Sequence, residues 1–336
     1  MEISISVVIP NYNKADTIGK CLEAVFSSRY GNFEVVVVDD KSEDGSVEVV
    51  EKFPCKLIRL ESHAGTSRAR NIGAQKSSGE IIFFTDADCL FQKDTLSIIN
   101  RVFSPLLKSG KDVVIGGTYT RMPYDKNFFS IFQSVFINYS ETKYEKPDYI
   151  AAHAMIIKRG TFNKSKGFPE VFLPIIEDVE FSHRLRKTGC ELVMAPGIQV
   201  QHIFNFSFSR SVRNAFRKSK YWNMYSLKNR DLTADSGTAS TELKTNVASF
   251  FLCLTSLVLW LFMKEPALLY LPPSLLALNA FVSRRLLKAF NETGGVLFAM
   301  PAFMYYSIIY PVPVGLGAVA GMIEYFKGQK QLLRSL

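Results

Sequence analysis

Asp86 and Asp88 stand one residue apart at the end of an apolar run, Ile81-Ile82-Phe83-Phe84, which Gly79 precedes. β-Branched and aromatic residues bounded by a glycine and by acids predict a buried strand of a parallel sheet. The two acids then lie where the strand leaves the sheet, and in open α/β sheets the ligand crevice lies at the carboxyl ends of the strands. Two carboxylates at that spacing can share a hard divalent cation, which in turn can hold a diphosphate. The same pair also fits a solvated turn whose acid caps the next helix. A second apolar run, Phe33 to Val38, ends in Asp39-Asp40 in the same way. Glu177-Asp178 opens a helical pattern, a place where acids are stabilising for electrostatic reasons alone. His202 lies in the apolar segment VQHIF, where a histidine is either a satisfied core residue or a ligand.

The elements that must position these residues follow from the spacing around them. Ile3 to Ile9 reads as a first strand, ended by the loop Pro10-Asn11-Tyr12-Asn13. Asp16 fits an N-cap, followed by Ile18, Cys21, Leu22, Val25 and Phe26 at helical spacing. Ser42 to Ser46 forms a turn into a helix through Val47, Val49 and Val50, and Leu57 to Leu60 is a third strand. His63-Ala64-Gly65 opens a loop before a helix over Ser67 to Lys76, despite Gly73. Alternating strands and helices predict a doubly wound parallel sheet with right-handed crossovers. Further on, Asp112 to Ile115 and Ala151 to Ile157 read as strands, with an aromatic-rich segment between Tyr119 and Asp148. Gly167 to Pro174 reads as a loop, the Glu177 helix stops at Gly189, and Leu192 to Met194 and Gln199 to Ile203 close the sheet.

Composition separates this part from the rest of the 336 residues. Hydrophobic residues make up 47% of the chain, and their excess lies mainly after Asn246. Asn246 to Met263 is uncharged and long enough to cross a bilayer, Pro266 to Val282 is a second uncharged stretch, and Gly295 to Ile323 is a third, broken by Pro301, Pro311 and Pro313. Three in succession predict a membrane region. The third either crosses once or turns at Pro311-Val312-Pro313 as a re-entrant hairpin, which decides the side on which Lys327, Lys330 and Arg334 lie. Between Phe206 and Leu227, Phe208, Val212, Phe216, Trp222 and Tyr225 fall roughly on one helical face with Arg and Lys opposite, a pattern for an interfacial helix; Leu232 to Glu242 is a polar linker. The net charge of +9 is concentrated beside the apolar stretches, at Arg210, Arg213, Arg217, Lys218, Lys220, Lys228 and Arg230 before the first and at Arg284, Arg285 and Lys288 after the second. That placement fits the positive-inside rule and anionic headgroups rather than nucleic acid. The start MEISISVVIP has no basic n-region, and the five cysteines show neither C-x-x-C nor metal-ligand spacing, so a cytoplasmic, reduced setting is expected for the N-terminal part.

Five blocks in order, SVVIPNYN, VVVVDDKSEDGS, HAGTSRARNIGA, FFTDADC and IEDVEFSHRLRKTG, resemble glycosyltransferase family 2, the inverting nucleotide-sugar enzymes of the GT-A fold. The resemblance covers roughly residues 4 to 205 and is strong because five weak matches in register multiply. It implies a GT-A domain over residues 1–205, an α/β fold with a doubly wound, Rossmann-like mixed sheet, followed by an interface helix and linker at 206–243, a transmembrane region at 244–326 and a basic tail at 327–336. Carried over by position, it implies that Pro10 and Tyr12 border the nucleobase and that Asp40 accepts a hydrogen bond from it; Asp39 has a milder alternative as a helix-supporting acid. Arg70 is implied near the nucleotide and its phosphates, Asp86 near the ribose or sugar, and Asp88 as the ligand of Mg2+ or Mn2+, with His202 able to complete the metal or diphosphate shell. Asp178 matches the catalytic base and Glu177 its positioning partner. His63 and His183 read as surface or packing residues, and His153 lies toward the acceptor side without an assigned role.

The implied activity is transfer of a sugar from a nucleotide-sugar donor, with UDP the expected nucleotide, to a hydroxyl of a membrane lipid or lipid-linked saccharide. The implied location is the inner cell membrane, multi-pass, with the catalytic domain cytoplasmic. Processive synthases of the family carry Q-x-x-R-W, for which RKSKYW at Arg217 to Trp222 is a poor match. Polyprenyl-phosphate sugar synthases combine this fold with membrane helices, but their phosphate acceptor needs no general base. A non-catalytic membrane scaffold or sugar-nucleotide sensor is the rival from another class. A channel or transporter is disfavoured because the spans lack intramembrane charges.

Overall fold

The computed structural model describes residues 2–108, 110–170 and 173–334, with the backbone alone for 108 and 329–334. Part of the loop expected over Gly167 to Pro174 (171 and 172) and the last two residues of the basic tail lie outside the described residues, as do the side chains of Lys330 and Arg334. The chain forms two compact units, Met1–Lys126 with Glu141–Asn205, and Asn127–Ser140 with Phe206–Leu336.

The first unit is built on eight strands: β1 (Ile5–Asn11), β2 (Phe33–Asp39), β3 (Lys56–Arg59), β4 (Ile81–Thr85), β5 (Cys89–Phe91), β6 (Val113–Tyr119), β7 (Ala154–Lys158) and β8 (Glu191–His202). Their order in the sheet is β3-β2-β1-β4-β7-β6-β8-β5. β3, β2, β1 and β4 are parallel, as the alternating pattern predicts, because α1 (Ala15–Phe26), α2 (Ser46–Val50) and α3 (Thr66–Lys76) provide the crossovers. After β4 the sheet becomes mixed. Only Asp86, Ala87 and Asp88 separate β4 from β5, too few for a crossover, so β5 leaves its neighbour and pairs antiparallel with β8 at the far edge. β7 runs antiparallel to both β4 and β6. The two expected closing strands are one element, β8, whose pairing with β6 shifts register between Gly116 and Thr118.

β4 carries no alternation because both its faces are covered: Ile81, Ile82, Phe83 and Phe84 are all fully buried. Phe84 meets Phe168 edge to face at 5.1 Å, and Phe168 packs on Phe181 at 4.5 Å, joining the central strand to α7 (Glu177–Lys187). Gly73 sits where α3 crosses β1, and a Cβ there would collide with the Val8 side chain. The glycine weakens the helix locally and allows the close approach that fixes Arg70 and Asn71 over the strand ends. Asp16 is not an N-cap. It lies inside the first turn of α1, and the free N–H groups of that end are met from the α2 side instead, Lys14 N–H donating to Ser46 Oγ and Ala15 N–H to Asp44 Oδ2, both at 2.9 Å.

The second unit is helical and holds most of α5 (Phe128–Thr142) with α8 (Phe208–Asn229), α9 (Thr241–Met263), α10 (Leu271–Val282), α11 (Arg284–Met304) and α12 (Pro311–Arg334). α9, and the stretch Arg284–Gly328, are long and apolar enough to cross a membrane by length and composition, whereas Pro266–Val282 is shorter. α8 lies along α12, where Gly317 and Gly321 bring the helices so close that a Cβ at either would strike the backbone of Phe216 or Lys220. Between α11 and α12 the backbone makes a π turn over Tyr305–Ile309. Asn246 Nδ2 donates to the Tyr306 carbonyl at 2.7 Å and is itself held by Asn279, so the distorted turn keeps a hydrogen-bond partner within an apolar unit.

Candidate active site

Every residue singled out by sequence reasoning for chemistry lies in the first unit. Asp88 leaves β4 and enters β5, whose antiparallel register places Cys89 opposite His202. His202 Nε2 thereby comes within 3.2 Å of Asp88 Oδ1, while its Nδ1 is buried without a hydrogen-bond partner among the described residues. Asp88 Oδ2 accepts a charge-assisted bond from Lys14 Nζ at 2.6 Å. Burial alone would raise the Asp88 carboxyl, but His202 and Lys14 hold it well below the usual carboxylate range. The ligand atoms of Asp88, Cys89 and His202 lie within 4.8 Å of one another. Cys89 is an unsuitable partner for a hard cation, since burial first, then the neighbouring acids, push its thiol well up and keep it protonated. The remaining carboxylate and imidazole fit a divalent ion that draws its other ligands from phosphate oxygens and water, since carboxylate oxygen and imidazole nitrogen are suitable donors for such an ion.

Arg70 joins the two ends of the site. It is only 4% exposed and its guanidinium donates to Asp86 Oδ1 at 2.7 Å and to Glu177 Oε1 at 2.6 Å, with the Phe168 ring beneath it at 5.4 Å. Burial would favour its neutral form, but Asp86 and Glu177 outweigh this and keep it charged. The neighbouring Asn71 exchanges two hydrogen bonds with the Phe168 backbone, at 2.8 and 2.9 Å, and so ties α3 to the segment before α7. Ile176 precedes Glu177 in the left-handed conformation at φ 67°, costly for a β-branched residue, and this turn sets the start of α7.

Asp178 is partly buried, and its Oδ2 accepts from the Ala152 N–H at 3.1 Å. Burial first, and then the adjacent Glu177 charge, push its carboxyl up to about 6, against the opposing pull of Arg70. An acid tuned to that range is suited to general base work near neutral pH.

At the other end, Tyr12 follows β1 and is 44% exposed, with its ring 4.2 Å from that of His63 and tilted by 32°. Asp40 is buried beneath, accepting from the N–H groups of Ala64 and Gly65 at 2.7 and 2.8 Å, with His63 Nδ1 3.0 Å from its Oδ2. Asp39 accepts from Asn11 Nδ2 at 2.7 Å and from the Ser42 N–H at 2.9 Å. Pro10 lies within β1 opposite Val38. These contacts fix the loop edges around an exposed aromatic pair.

Three groups escaped sequence reasoning. Lys14 lies 74 residues from Asp88 in the chain and carries no motif of its own. His63 looked like a surface residue, but joins Tyr12 and Asp40. His153 is buried, stacked on Tyr119 at 3.9 Å, with Nε2 3.4 Å from Glu141 Oε2, which also accepts from Thr118 Oγ1 at 2.7 Å. Burial would lower the His153 imidazole, but Glu141 outweighs it and raises it. An aromatic before β7 and an acid on α5 gave no local signal for this pairing.

Residues 6–163 match the family described as Glycosyl transferase family 2. The chain is 38% identical over 126 residues to the glycosyltransferase AglE of Haloferax volcanii, covering 35% of this chain and 40% of that one. It is 30% identical over 124 residues to a dolichol-phosphate mannosyltransferase of Pyrococcus furiosus, covering 35% and 34%. The chain thus spans less than half the length of these curated relatives. Among solved structures, the mannosyltransferase PcManGT of Pyrobaculum calidifontis, in complex with GDP-Man and Mn2+, matches with a TM-score of 0.57 at 17% identity, covering 97% of this chain and 88% of that one, a likeness of fold. The matched segment, residues 6–163, is thus a glycosyltransferase family 2 segment, and the mixed sheet that carries it has the GT-A fold.

Proposed function

We propose that the protein transfers a sugar, with inversion, from a nucleoside diphosphate sugar to a hydroxyl of a membrane lipid or lipid-linked saccharide. The observation that carries this reading is Asp178, a partly buried carboxyl pushed up to about 6 and joined through Glu177 and Arg70 to Asp86 on the donor side. In this reading Tyr12 and His63 stack on the base, with Pro10 at its border, Asp40 accepts from the base, and Asp86 and Arg70 meet the ribose and phosphates. Asp88 and His202 are the groups that hold Mg2+ or Mn2+, which supplies Lewis-acid stabilisation to the departing diphosphate. Asp178 takes the proton of the acceptor hydroxyl as its oxygen attacks the anomeric carbon opposite the leaving group, and Glu177 keeps Arg70 in place. UDP is the nucleotide favoured by the family. The apolar helices and the basic residues on α8 support a place at the cytoplasmic face of the inner membrane, with residues 1–205 as the catalytic domain, 206–243 at the interface, 244–326 in the bilayer and 327–336 as a basic tail.

The test is transfer from radiolabelled UDP-, GDP- and dTDP-sugars to extracted membrane lipids by the full-length protein in detergent, with Asp178→Asn alongside. Transfer to a hydroxyl is expected to fall by about 10²–10⁴-fold in the variant, with nucleotide binding retained. A second reading, a polyprenyl-phosphate sugar synthase, is favoured by the similarity to the dolichol-phosphate mannosyltransferase. A phosphate acceptor is already ionised and needs no base, so there Asp178→Asn leaves transfer to a polyprenyl phosphate within a few fold of the parent.

A further inference from the structure

His153 lies in the turn at 151–154, in which the Ala154 N–H donates to the Ala151 carbonyl at 3.3 Å, and one residue earlier the Ala152 N–H holds Asp178 Oδ2 at 3.1 Å. The ring is fixed on two sides. It stacks on Tyr119 with centroids 3.9 Å apart, and its Nε2 faces Glu141 Oε2 at 3.4 Å, while Thr118 Oγ1 holds that acid in turn. All of these residues belong to the first unit, and His153 and Glu141 are 7% and 9% exposed. A buried ion pair adds little to stability once both charges have left water, so packing alone is a weak reason for it. Against the opposing effect of burial, Glu141 first and then Asp86 and Asp178 favour the charged ring, which puts it within electrostatic reach of the donor-side acid and of the acid read as the base. An imidazolium carries two N–H groups, and Glu141 meets only the one on Nε2. The N–H on Nδ1 has no acceptor among the described residues.

We propose that Nδ1 of His153 donates to a second hydroxyl of the acceptor, on the carbon next to the one that reacts, so that the acceptor is a saccharide or polyol headgroup with a vicinal diol rather than a lipid with a single hydroxyl. This rests on the reading of Asp178 as the base. Asp178 is held by the Ala152 N–H and the imidazolium is carried by the next residue, so the two groups serve neighbouring oxygens of one molecule. The second hydroxyl keeps its proton and takes no part in bond making. Its oxygen accepts from Nδ1, which fixes how the acceptor is turned about the reacting oxygen. The bond is charge-assisted and so stronger than a neutral one, and an alcohol that lacks the second hydroxyl leaves a buried donor unpaired, which is the larger source of discrimination.

The test uses the full-length protein in detergent, with radiolabelled UDP-, GDP- and dTDP-sugars and extracted membrane lipids as probes. One portion of the extract is oxidised with periodate and reduced with borohydride, which cleaves vicinal diols and leaves isolated hydroxyls; a second portion is treated with borohydride alone, and dioleoylglycerol is the single-hydroxyl acceptor. Transfer to the borohydride-treated extract is expected, with loss of transfer to the oxidised one and none to dioleoylglycerol. His153→Phe keeps a ring against Tyr119 and removes the donor. It is expected to raise the apparent KM for the extract about tenfold or more at an unchanged donor KM, and His153→Gln, which restores an N–H, to recover part of that loss. Transfer that survives periodate, efficient transfer to dioleoylglycerol, or an acceptor KM in His153→Phe equal to that of the parent would overturn the proposal. The periodate arm uses the parent alone, so it decides the question even where a variant does not fold. A parent that transfers nothing from any of these donors sinks the hydroxyl-transfer reading and the proposal with it, whereas transfer that resists periodate sinks the proposal and leaves that reading standing.

Discussion

At the scale of single residues, the site is a set of charges whose neighbours decide their state. Asp178 is pushed up to about 6, so the folded protein binds its proton more tightly than the unfolded chain does. Its contribution to stability is therefore favourable in acid and is lost as pH rises through about 6, the range in which the carboxyl gives up its proton. We expect kcat/KM to fall about tenfold per pH unit below that point, and Asp178→Asn to unfold at a higher temperature than the parent at pH 8 while losing transfer activity. A pH–rate profile with parallel melting curves checks both. Lys14 presents a different case. It pairs with Asp88 through a side chain that is 43% exposed, so the pair is screened, and a divalent ion held at Asp88 would compete with the lysine for the same carboxylate. Lys14→Met is expected to tighten Mn2+ binding by a few fold, read as free Mn2+ by electron paramagnetic resonance; weaker binding would show that the lysine helps hold the site instead. His153→Gln removes the charge facing Glu141 without removing the ring-sized volume beside Tyr119 entirely. If it orients the acceptor, KM for the acceptor rises and the donor KM does not.

At the scale of elements, the parallel half of the sheet was legible because hydrophobic runs, turns and helices alternate there with little ambiguity, and the acids at the ends of β2 and β4 follow directly. His202 was harder to place. Its approach to Asp88 depends on β5 abandoning β4 and pairing with β8, a long-range choice set by the shortness of the Ala87 link rather than by residues near His202. The bridge made by Arg70 has the same character, since α3 and α7 meet only after the chain has crossed the sheet. The N-terminal end of α1 was misread because its capping groups, Asp44 and Ser46, come from another segment. Gly73 was legible only as a weak point in a helix, whereas its role is the close passage over Val8. Gly73→Ala therefore sets a gain in helix propensity of about 1 kcal/mol against overpacking of about 1–3 kcal/mol, and a net loss of stability with reduced activity is expected in thermal denaturation and transfer assays. A net gain in stability would mean that α3 can move away from β1 without consequence.

At the scale of the whole molecule, the chain holds a GT-A unit and a helical unit with two stretches long and apolar enough to span a bilayer. If those stretches are inserted, washing membranes with molar salt leaves the protein in the pellet and detergent releases it, since burial of apolar helices is insensitive to the screening that removes surface-bound basic proteins. Release by salt alone would reduce the basic residues of α8 to the whole of the attachment. The central claim, a nucleotide site completed by a divalent ion at Asp88, is tested most directly by the melting temperature of the full-length protein with UDP, GDP or dTDP, each with and without Mn2+, for the parent and for Asp88→Asn. A ligand that binds only the folded state raises its stability by mass action. One nucleotide, UDP first, is expected to raise the melting temperature only when Mn2+ is present, and Asp88→Asn is expected to remove the gain. A nucleotide shift that ignores Mn2+ and survives in Asp88→Asn, or no shift with any nucleotide, would contradict the claim.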